Sequence, residues 1–467
     1  MLLWDVPPNS ERTKAGPTVR DALGFGHPGA ATAGPAAADG GSVSLSTRPA
    51  GEVRQVSARG TPQVTRLLII VQNLPVPFDR RVWLECQALT SAGYQVAVVC
   101  PRASDEPAYE VIDSVQLYRY RPYAPGGSKA SFIAEYAYSF LATAWGALKA
   151  RRSGRFAVIQ ACNPPDIFWP LALAFRALEG TRFVFDHHDL CPELYQSRFP
   201  RGPKLPYKGL LALERRTHRT ADHVIATNDS YREIAMTRGG KRANDVTVVR
   251  TGPDLQRLQP GEADPELRRG RRFLVAYIGV MGPQDGVDIV VRAADIVVNK
   301  LGRDDIAFTL IGSGDCFGDL VALRDELGLA GHVEFTGRAP DDLVVRIMST
   351  ADAGLSPDPK NPLNDVSTMN KTMEYMAFGL PVIAFDLRET RVSAGDAAVY
   401  VQPNDEHEYA EAVVALMDDE PKRKLMGKLA RERIEQELAW YHQKGAYLGV
   451  YERVLSEGAA ALKRTRA

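Results

Sequence analysis

Cysteine is scarce in this chain: Cys86, Cys100, Cys162, Cys191 and Cys316 are scattered, odd in number and never form a Cys-x-x-Cys pair. That excludes a disulfide framework and a cysteine zinc site, and it places the protein in a reducing, cytoplasmic compartment with neutral or buried thiols. No segment offers about 18 uninterrupted apolar residues, so no membrane span is expected, and the start of the chain lacks the apolar core of a signal peptide. Neither charge sign is in excess, with 57 Lys+Arg against 57 Asp+Glu. This balance argues against a dedicated nucleic-acid binder held by phosphate contacts. The loop after the first apolar strand, QNLPVPFD, has no G-x-G-x-x-G, which disfavours a dinucleotide cofactor.

Residues 1–64 also lack apolar periodicity and are rich in Gly, Ala and Pro, so they read as a disordered tail unable to offset its own ordering entropy. The rest is different. About 400 residues, drawn from a chain that is 45% apolar, suffice for two ordinary domains. We place them at 65–255 and 256–435, followed by a terminal helical segment at 436–467.

From Arg66 the pattern is β-α-β. RLLIIVQN reads as a continuous apolar strand, then DRRVWLECQALTSAG as a helix capped by Asp79, with Val82, Cys86 and Leu89 inward and Gly93 at its end. QVAVVCP follows as a strand, and FAVIQA, FVFDHHD and HVIATND are further strands ending in polar residues, the position where open α/β sheets bind ligands. A second such unit starts near Arg272 with FLVAYIG, a glycine-bearing loop MGPQDG, the helix VDIVVRAADIVVNK, the strand FTLIG with SGD at its end, and HVEFTGR. Two doubly wound halves in tandem leave a cleft as the default ligand site. Phe132–Ala150, followed by Arg151 and Arg152, reads as a buried helix of the first half, with a helix lying on an anionic membrane face as the alternative.

The segment NKTMEYMAFGLPVIAFD, residues 370–386, combines a cation, a carboxylate and a helix-to-strand turn. Lys371 and Glu374 are three apart and share a helix face, Gly379 and Pro381 stop the helix, and the apolar run to Phe385 is a buried strand. A helix N-terminus with a lysine and an acid beside a parallel sheet suits a phosphorylated, sugar-containing ligand. An ordinary surface ion pair would give the same spacing.

Taken together, YIGVMGPQDGVD, LIGSGD, VEFTGRAP and NKTMEYMAFGLPVIAFD, with FDRRVWLECQALTSAGYQVAVVCP, FDHHDLCPELY and IATNDSYRE in the first half, resemble retaining glycosyltransferases of family 4. The resemblance implies the GT-B fold, two Rossmann-like domains facing a cleft, over nearly all of residues 66–455. It implies that Glu374 holds the ribose hydroxyls of a nucleotide, that the turn at Gly337 and Arg338 meets the base, and that His188 stands beside the transferred sugar. Adjacent His187 and His188 point to opposite faces of a strand, which disfavours shared ligation of one metal.

Two departures follow from the same comparison. The first glutamate of the family's E-x7-E falls at Val366, so Asn364 or Asp365 is expected to take over its contacts, with Asn370 and Lys371 completing the donor site. The family's two loop cations fall at Val280 and Asp285, leaving Lys371 and the amides of the 279–286 loop, Gly279 and Gly282 included, to hold a diphosphate. Sequences of this subgroup type resemble bacterial enzymes of surface-polysaccharide assembly.

The implied chemistry is transfer of a sugar from a nucleoside diphosphate donor to an acceptor hydroxyl with retention, Lys371 and the helix N-terminus stabilising the departing diphosphate. No Asp-x-Asp occurs, so metal independence is expected, with no cofactor beyond the co-substrate. The implied acceptor is a glycan or a lipid-linked sugar at the inner face of the plasma membrane, with peripheral contact through 132–152. An epimerase or hydrolase on the same fold, and a non-catalytic sugar-nucleotide-binding protein, are the alternatives. Trp440 and Tyr451, in the terminal helix, are expected to anchor it back onto the first domain, and hinges are expected near 252–270 and 430–438.

Overall fold

The computed structural model describes residues 64–123 and 129–466, so the expected tail lies outside the described residues except for Val64. Its first half is an eight-stranded sheet built from β1 (Arg66–Ile70), β2 (Gln95–Pro101), β3 (Tyr109–Ile112), β4 (Val115–Tyr120), β5 (Val158–Cys162), β6 (Arg182–His187), β7 (His223–Ala226) and β8 (Val246–Val248), in the order β3-β4-β2-β1-β5-β6-β7-β8. All neighbours are parallel except β3, an antiparallel edge strand on β4. β1, β2 and β5 carry helices on both faces and are buried almost throughout, which is why they read as unbroken apolar runs.

The second half is a six-stranded, wholly parallel sheet of β9 (Phe273–Ile278), β10 (Ile306–Ile311), β11 (Val333–Gly337), β12 (Ala353–Ser356), β13 (Val382–Phe385) and β14 (Ala398–Val401), ordered β11-β10-β9-β12-β13-β14. In each sheet the winding reverses beside its first strand, between β1 and β5 and between β9 and β12. Loops leaving the carboxyl ends of those strands diverge at this point and open a crevice for ligand.

The chain passes between the halves twice. It leaves the first sheet through Gly252 and Pro253, and returns through Leu438, Ala439 and the helix Trp440–Arg466. Trp440, Tyr447, Val450, Tyr451 and Val454 of that helix are buried in the apolar core of the first half, as expected for Trp440 and Tyr451. The two passages touch: the Trp440 amide donates to the Pro253 carbonyl at 3.1 Å, and a Cβ at residue 252 would overlap the Leu438 carbonyl oxygen, so only glycine fits.

No helix among the described residues is long and apolar enough to cross a membrane. The helix Lys129–Arg151 nevertheless corrects the reading of it as buried. Its inward face carries the small residues Ser139, Thr143, Ala147 and Ala150, whereas Leu141, Trp145 and Leu148 are 67%, 56% and 52% exposed.

Candidate functional site

The helix Asn370–Ala377 starts at the winding reversal of the second sheet, beside the loops that follow β9 and β12. Tyr375 fixes it there. Its hydroxyl accepts from the Ile278 amide at 2.9 Å and donates to the Leu355 carbonyl at 2.9 Å, tying β9 to β12, and its ring lies where any Cβ on Gly354 would be. Lys371 is buried, with Nζ 2.5 Å from Asp358 Oδ1 and 5.2 Å from the centre of the Tyr277 ring. Burial alone would lower its pKa, but Asp358 and then Asp285 outweigh it and the ammonium is held above its ordinary range. Asp358 is in turn held by the Ser356 hydroxyl at 2.7 Å. Sequence reasoning missed Asp358; the signal was a second buried-strand end, LSPD, of the same kind as those singled out in the first half.

Glu374, one turn on from Lys371, is half-buried and makes no hydrogen bond or ion pair among the described residues. Burial raises its pKa, opposed by Arg257 and Arg80. Those two arginines close on Asp341 at 3.4 and 2.9 Å, so Glu374 faces a small cationic group contributed by both halves. Asn370 is exposed at the start of the helix. Arg338, after the left-handed Gly337 at φ 65°, stacks its guanidinium 5.6 Å from the ring of Phe78 across the cleft, and burial lowers its pKa.

Four expected donor contacts are already engaged within the protein. The Gly279 amide donates to the Ile311 carbonyl at 3.0 Å, and the Gly282 amide to Asp285 Oδ2 at 2.9 Å, so neither points its N–H at a diphosphate. The reason is packing. A Cβ at Gly312 would overlap the Gly279 carbonyl oxygen and one at Gly314 would press on Met281, so the GSG turn after β10 lies directly against this loop. Asp285, which stands where a cation was expected, closes its own loop; burial and Asp358, against Lys371, push its carboxyl up to about 6. Asn364 spends its amide on the carbonyls of Gln284 at 2.8 Å and Pro359 at 2.9 Å, clamping the two loops together. Asp365 turns away to the helix Arg388–Ala394, accepting from the Arg388 amide at 3.2 Å. Val366 packs against the core of the first half, and its carbonyl accepts from Asn228 Nδ2 at 2.9 Å. An apolar residue suits that place.

Across the cleft, His188 leaves the end of β6. Its amide and that of Asp189 both donate to Asn163 Oδ1, at 2.8 and 3.0 Å, and its Nδ1 lies 3.3 Å from Asp186 Oδ2. Burial would lower the His188 pKa, but the carboxylate of Asp186 outweighs it and raises the net value. Arg81 grips Asp186 with Nη2 at 2.8 Å and Nε at 3.2 Å and overcomes its desolvation, holding the carboxylate far below its usual range. Behind Arg81 stands Glu85 at 3.1 Å, pushed up to about 8 by burial and Asp186, and reached by Gln160 Nε2 at 2.7 Å. Gln160 Oε1 accepts from Tyr447, at 3.0 Å, and from Tyr451, so a buried polar chain runs from His188 to the terminal helix. Arg81 and Asn163 were missed in the sequence, although FDRR opens a helix at the first switch loop and Asn163 follows a strand end.

His187 does face the opposite way, buried 4.7 Å from the ring of His218 with Nε2 3.4 Å from Glu214 Oε1. The ligand atoms of His187, Glu214 and His218 lie within 4.8 Å of one another, as do those of Glu85, Cys162 and Asp186. In both groups an arginine occupies the carboxylate: Arg238 contacts Glu214 at 2.6 and 2.7 Å, and Arg81 contacts Glu85 and Asp186. A cation would have to displace that guanidinium.

Two Rossmann-like sheets facing one another, with a helix N-terminus, a buried lysine and a half-free glutamate on one wall and an acid-held histidine on the other, define the GT-B class. The family model described as "Glycosyltransferase Family 4" matches residues 79–257, and that described as "Glycosyl transferases group 1" matches residues 272–419. The chain belongs to glycosyltransferase family 4. It is 27% identical over 250 residues to the D-inositol 3-phosphate glycosyltransferase of Nocardia farcinica, a match covering 51% of this chain and 54% of the relative. The match thus spans about half the length of that curated relative. Among solved structures, sucrose-phosphate synthase from Thermosynechococcus elongatus superposes with a TM-score of 0.68 at 17% identity, covering 84% of this chain and all of that one. HepE from Anabaena, in complex with UDP-glucose, superposes with a TM-score of 0.62 at 15% identity, covering 83% and 99%.

Proposed function

We propose that the protein transfers a sugar from a nucleoside diphosphate donor to an acceptor hydroxyl, retaining the anomeric configuration and using no metal. The observation that carries this reading is the helix Asn370–Ala377, which sets Lys371 and an unengaged Glu374 at the switch point of the second sheet, opposite His188. Glu374 takes the ribose hydroxyls. The helix N-terminus, with the Lys371 ammonium behind it, stabilises the negative charge that grows on the diphosphate as the anomeric bond breaks. Asp186 accepts from Nδ1–H of His188, which leaves Nε2 as the ring atom that bonds a sugar hydroxyl. The departing phosphate oxygen deprotonates the acceptor on the same face. The carboxylates of the two buried metal-type clusters are already neutralised by arginine, which supports metal independence. A hydroxyl-rich acceptor, a glycan or lipid-linked sugar of surface-polysaccharide assembly at the inner membrane face, fits the family.

The departures at Val366 and Asp285 favour one further reading, a protein that binds sugar nucleotides without turning them over. Melting temperature measured against a panel of nucleoside diphosphates and nucleotide sugars tests the site. A ligand at a hundred times its dissociation constant adds about 2.7 kcal/mol. The expected result is a selective shift that Glu374→Ala abolishes and Lys371→Arg weakens, with donor consumed only when an acceptor is present. Donor turnover without acceptor would move the protein to the hydrolases, and a shift without turnover under any acceptor would make it a binding protein. The absence of any shift would remove the reading.

A further inference from the structure

The helix Lys129–Arg151 is apolar on more than one face, and it meets the sheet mainly with its small residues. Its small and polar residues Ser139, Thr143, Ala147 and Ala150 face inward, and a Cβ on Gly146 would already press on Val99, so the helix sits close to β2. Phe140 packs inward, its ring 6.3 Å from that of Phe168, but four other large residues are left outside. Tyr138, Leu141, Trp145 and Leu148, spaced three, four and three apart, form one exposed stripe about 15 Å long by helix rise. The one acid of the helix, Glu135, is half-buried and lies by Gln72, so the stripe carries no negative charge.

Basic groups border it. Beside the helix a cavity of about 340 Å³ is lined by Arg102, Arg119, Arg121 and Lys149 with Tyr118 and Trp145. Arg119 is neutralised by Glu106 at 3.3 Å and Glu110 at 2.8 Å, but Arg102, Arg121, Lys149 and the exposed Arg152 pair with no carboxylate among the described residues. Gln72, in the loop at the carboxyl end of β1, donates to Ser139 at 3.2 Å, so the start of the stripe lies at the mouth of the cleft.

We infer that this face is a membrane-docking surface: Leu141, Trp145 and Leu148 enter the acyl boundary of an anionic bilayer, while Lys149, Arg102 and Arg121 bind lipid phosphates in the adjoining cavity. An apolar stripe bordered by cations that have no carboxylate partner among the described residues complements such a surface, and a neutral protein partner would leave those cations unmatched. The inference does not depend on the transfer reaction, because binding is read without donor or acceptor.

The test is flotation of the full chain with vesicles of phosphatidylcholine alone, or of equal parts phosphatidylcholine and phosphatidylglycerol. The protein is expected to float with the mixed vesicles only, and to be partly released at high salt. Lys149→Ala weakens partition about fivefold. The double variant Leu141→Asp, Trp145→Asp abolishes it while keeping the wild-type melting temperature, since both positions are exposed. Flotation unchanged in the double variant, or absent from the wild type, would overturn the inference. So would a dimer in light scattering that the double variant dissociates, which would assign the stripe to a second copy, or stabilisation by inorganic phosphate without flotation, which would assign the cavity to a soluble anion.

Discussion

His188 and Asp186 are best understood as one unit with Arg81. The histidine gains a carboxylate partner on folding, so its folded pKa lies above the ordinary value near 6.5. Its contribution to stability is therefore fully present below that pH and is lost as pH rises through the raised folded value. We expect the difference in unfolding free energy between the wild type and His188→Gln to be larger at pH ~6 than at pH ~9, measured by urea denaturation. A pH-independent difference would show that Asp186 is spent on Arg81 alone. The same residues show where sequence reading stops. His188 and Glu374 belong to different halves and could be singled out by their motifs, whereas Asp358, Arg81 and Asn163 act through partners brought together from other elements. Asn364 and Asp365 show the converse: polar residues in the right stretch of sequence whose hydrogen bonds are consumed by neighbouring loops.

Among the elements, the long parallel strands and their helices were legible because burial on both faces writes an unbroken apolar run. The β3–β4 hairpin was not. β3 alternates exposed and half-buried residues and β4 buried and half-buried ones, so neither writes an apolar run, and the turn is made by Asp113 and Ser114 at φ 47° and 69° rather than by the glycine that signals such turns. The helix Lys129–Arg151 was read as buried, and its exposed stripe was not legible, because an apolar sequence does not say which of its faces is covered. The glycines of LIGSGD had a clear role only in three dimensions, where Gly312 has φ 136° and lies on the Gly279 carbonyl. Gly312→Ala is expected to lose about 2 kcal/mol or more in chemical denaturation and to abolish the nucleotide-induced melting shift, because the 279–286 loop must move aside. A variant of wild-type stability would mean that the turn and loop are not packed as described.

At the scale of the molecule, the two halves meet through contacts of unequal weight. Arg80 to Asp341 at 2.9 Å is half-exposed on both sides, a class of pair worth about 0–1 kcal/mol and screened by salt. Deeper, Ser230 Oγ donates to the buried Glu389 carboxylate at 2.6 Å, and Tyr231 and Asn228 bond Ser367 and Thr368, each at 3.0 Å. Ser230→Ala is expected to raise amide exchange over residues 363–369 and to enlarge the radius of gyration, with Arg80→Ala near wild type in both. The reverse ranking would place the fastening at the rim. Arg250 reaches Glu389 at 3.8 Å, so this junction lies beside the crossing at Gly252 and Ala439, and rotation about that region is the motion we expect of the halves.

That double crossing has a consequence for the integrity of the chain. Residues 259–263 are exposed and carry no helix or strand, whereas the terminal helix drives Tyr447, Val450, Tyr451 and Val454 into the core of the opposite half. A backbone cut at 259–263 would therefore separate the polypeptide without separating the protein. The carboxyl-terminal piece carries the plug that fills the amino-terminal one, and the two could be produced apart and reassembled as a split protein.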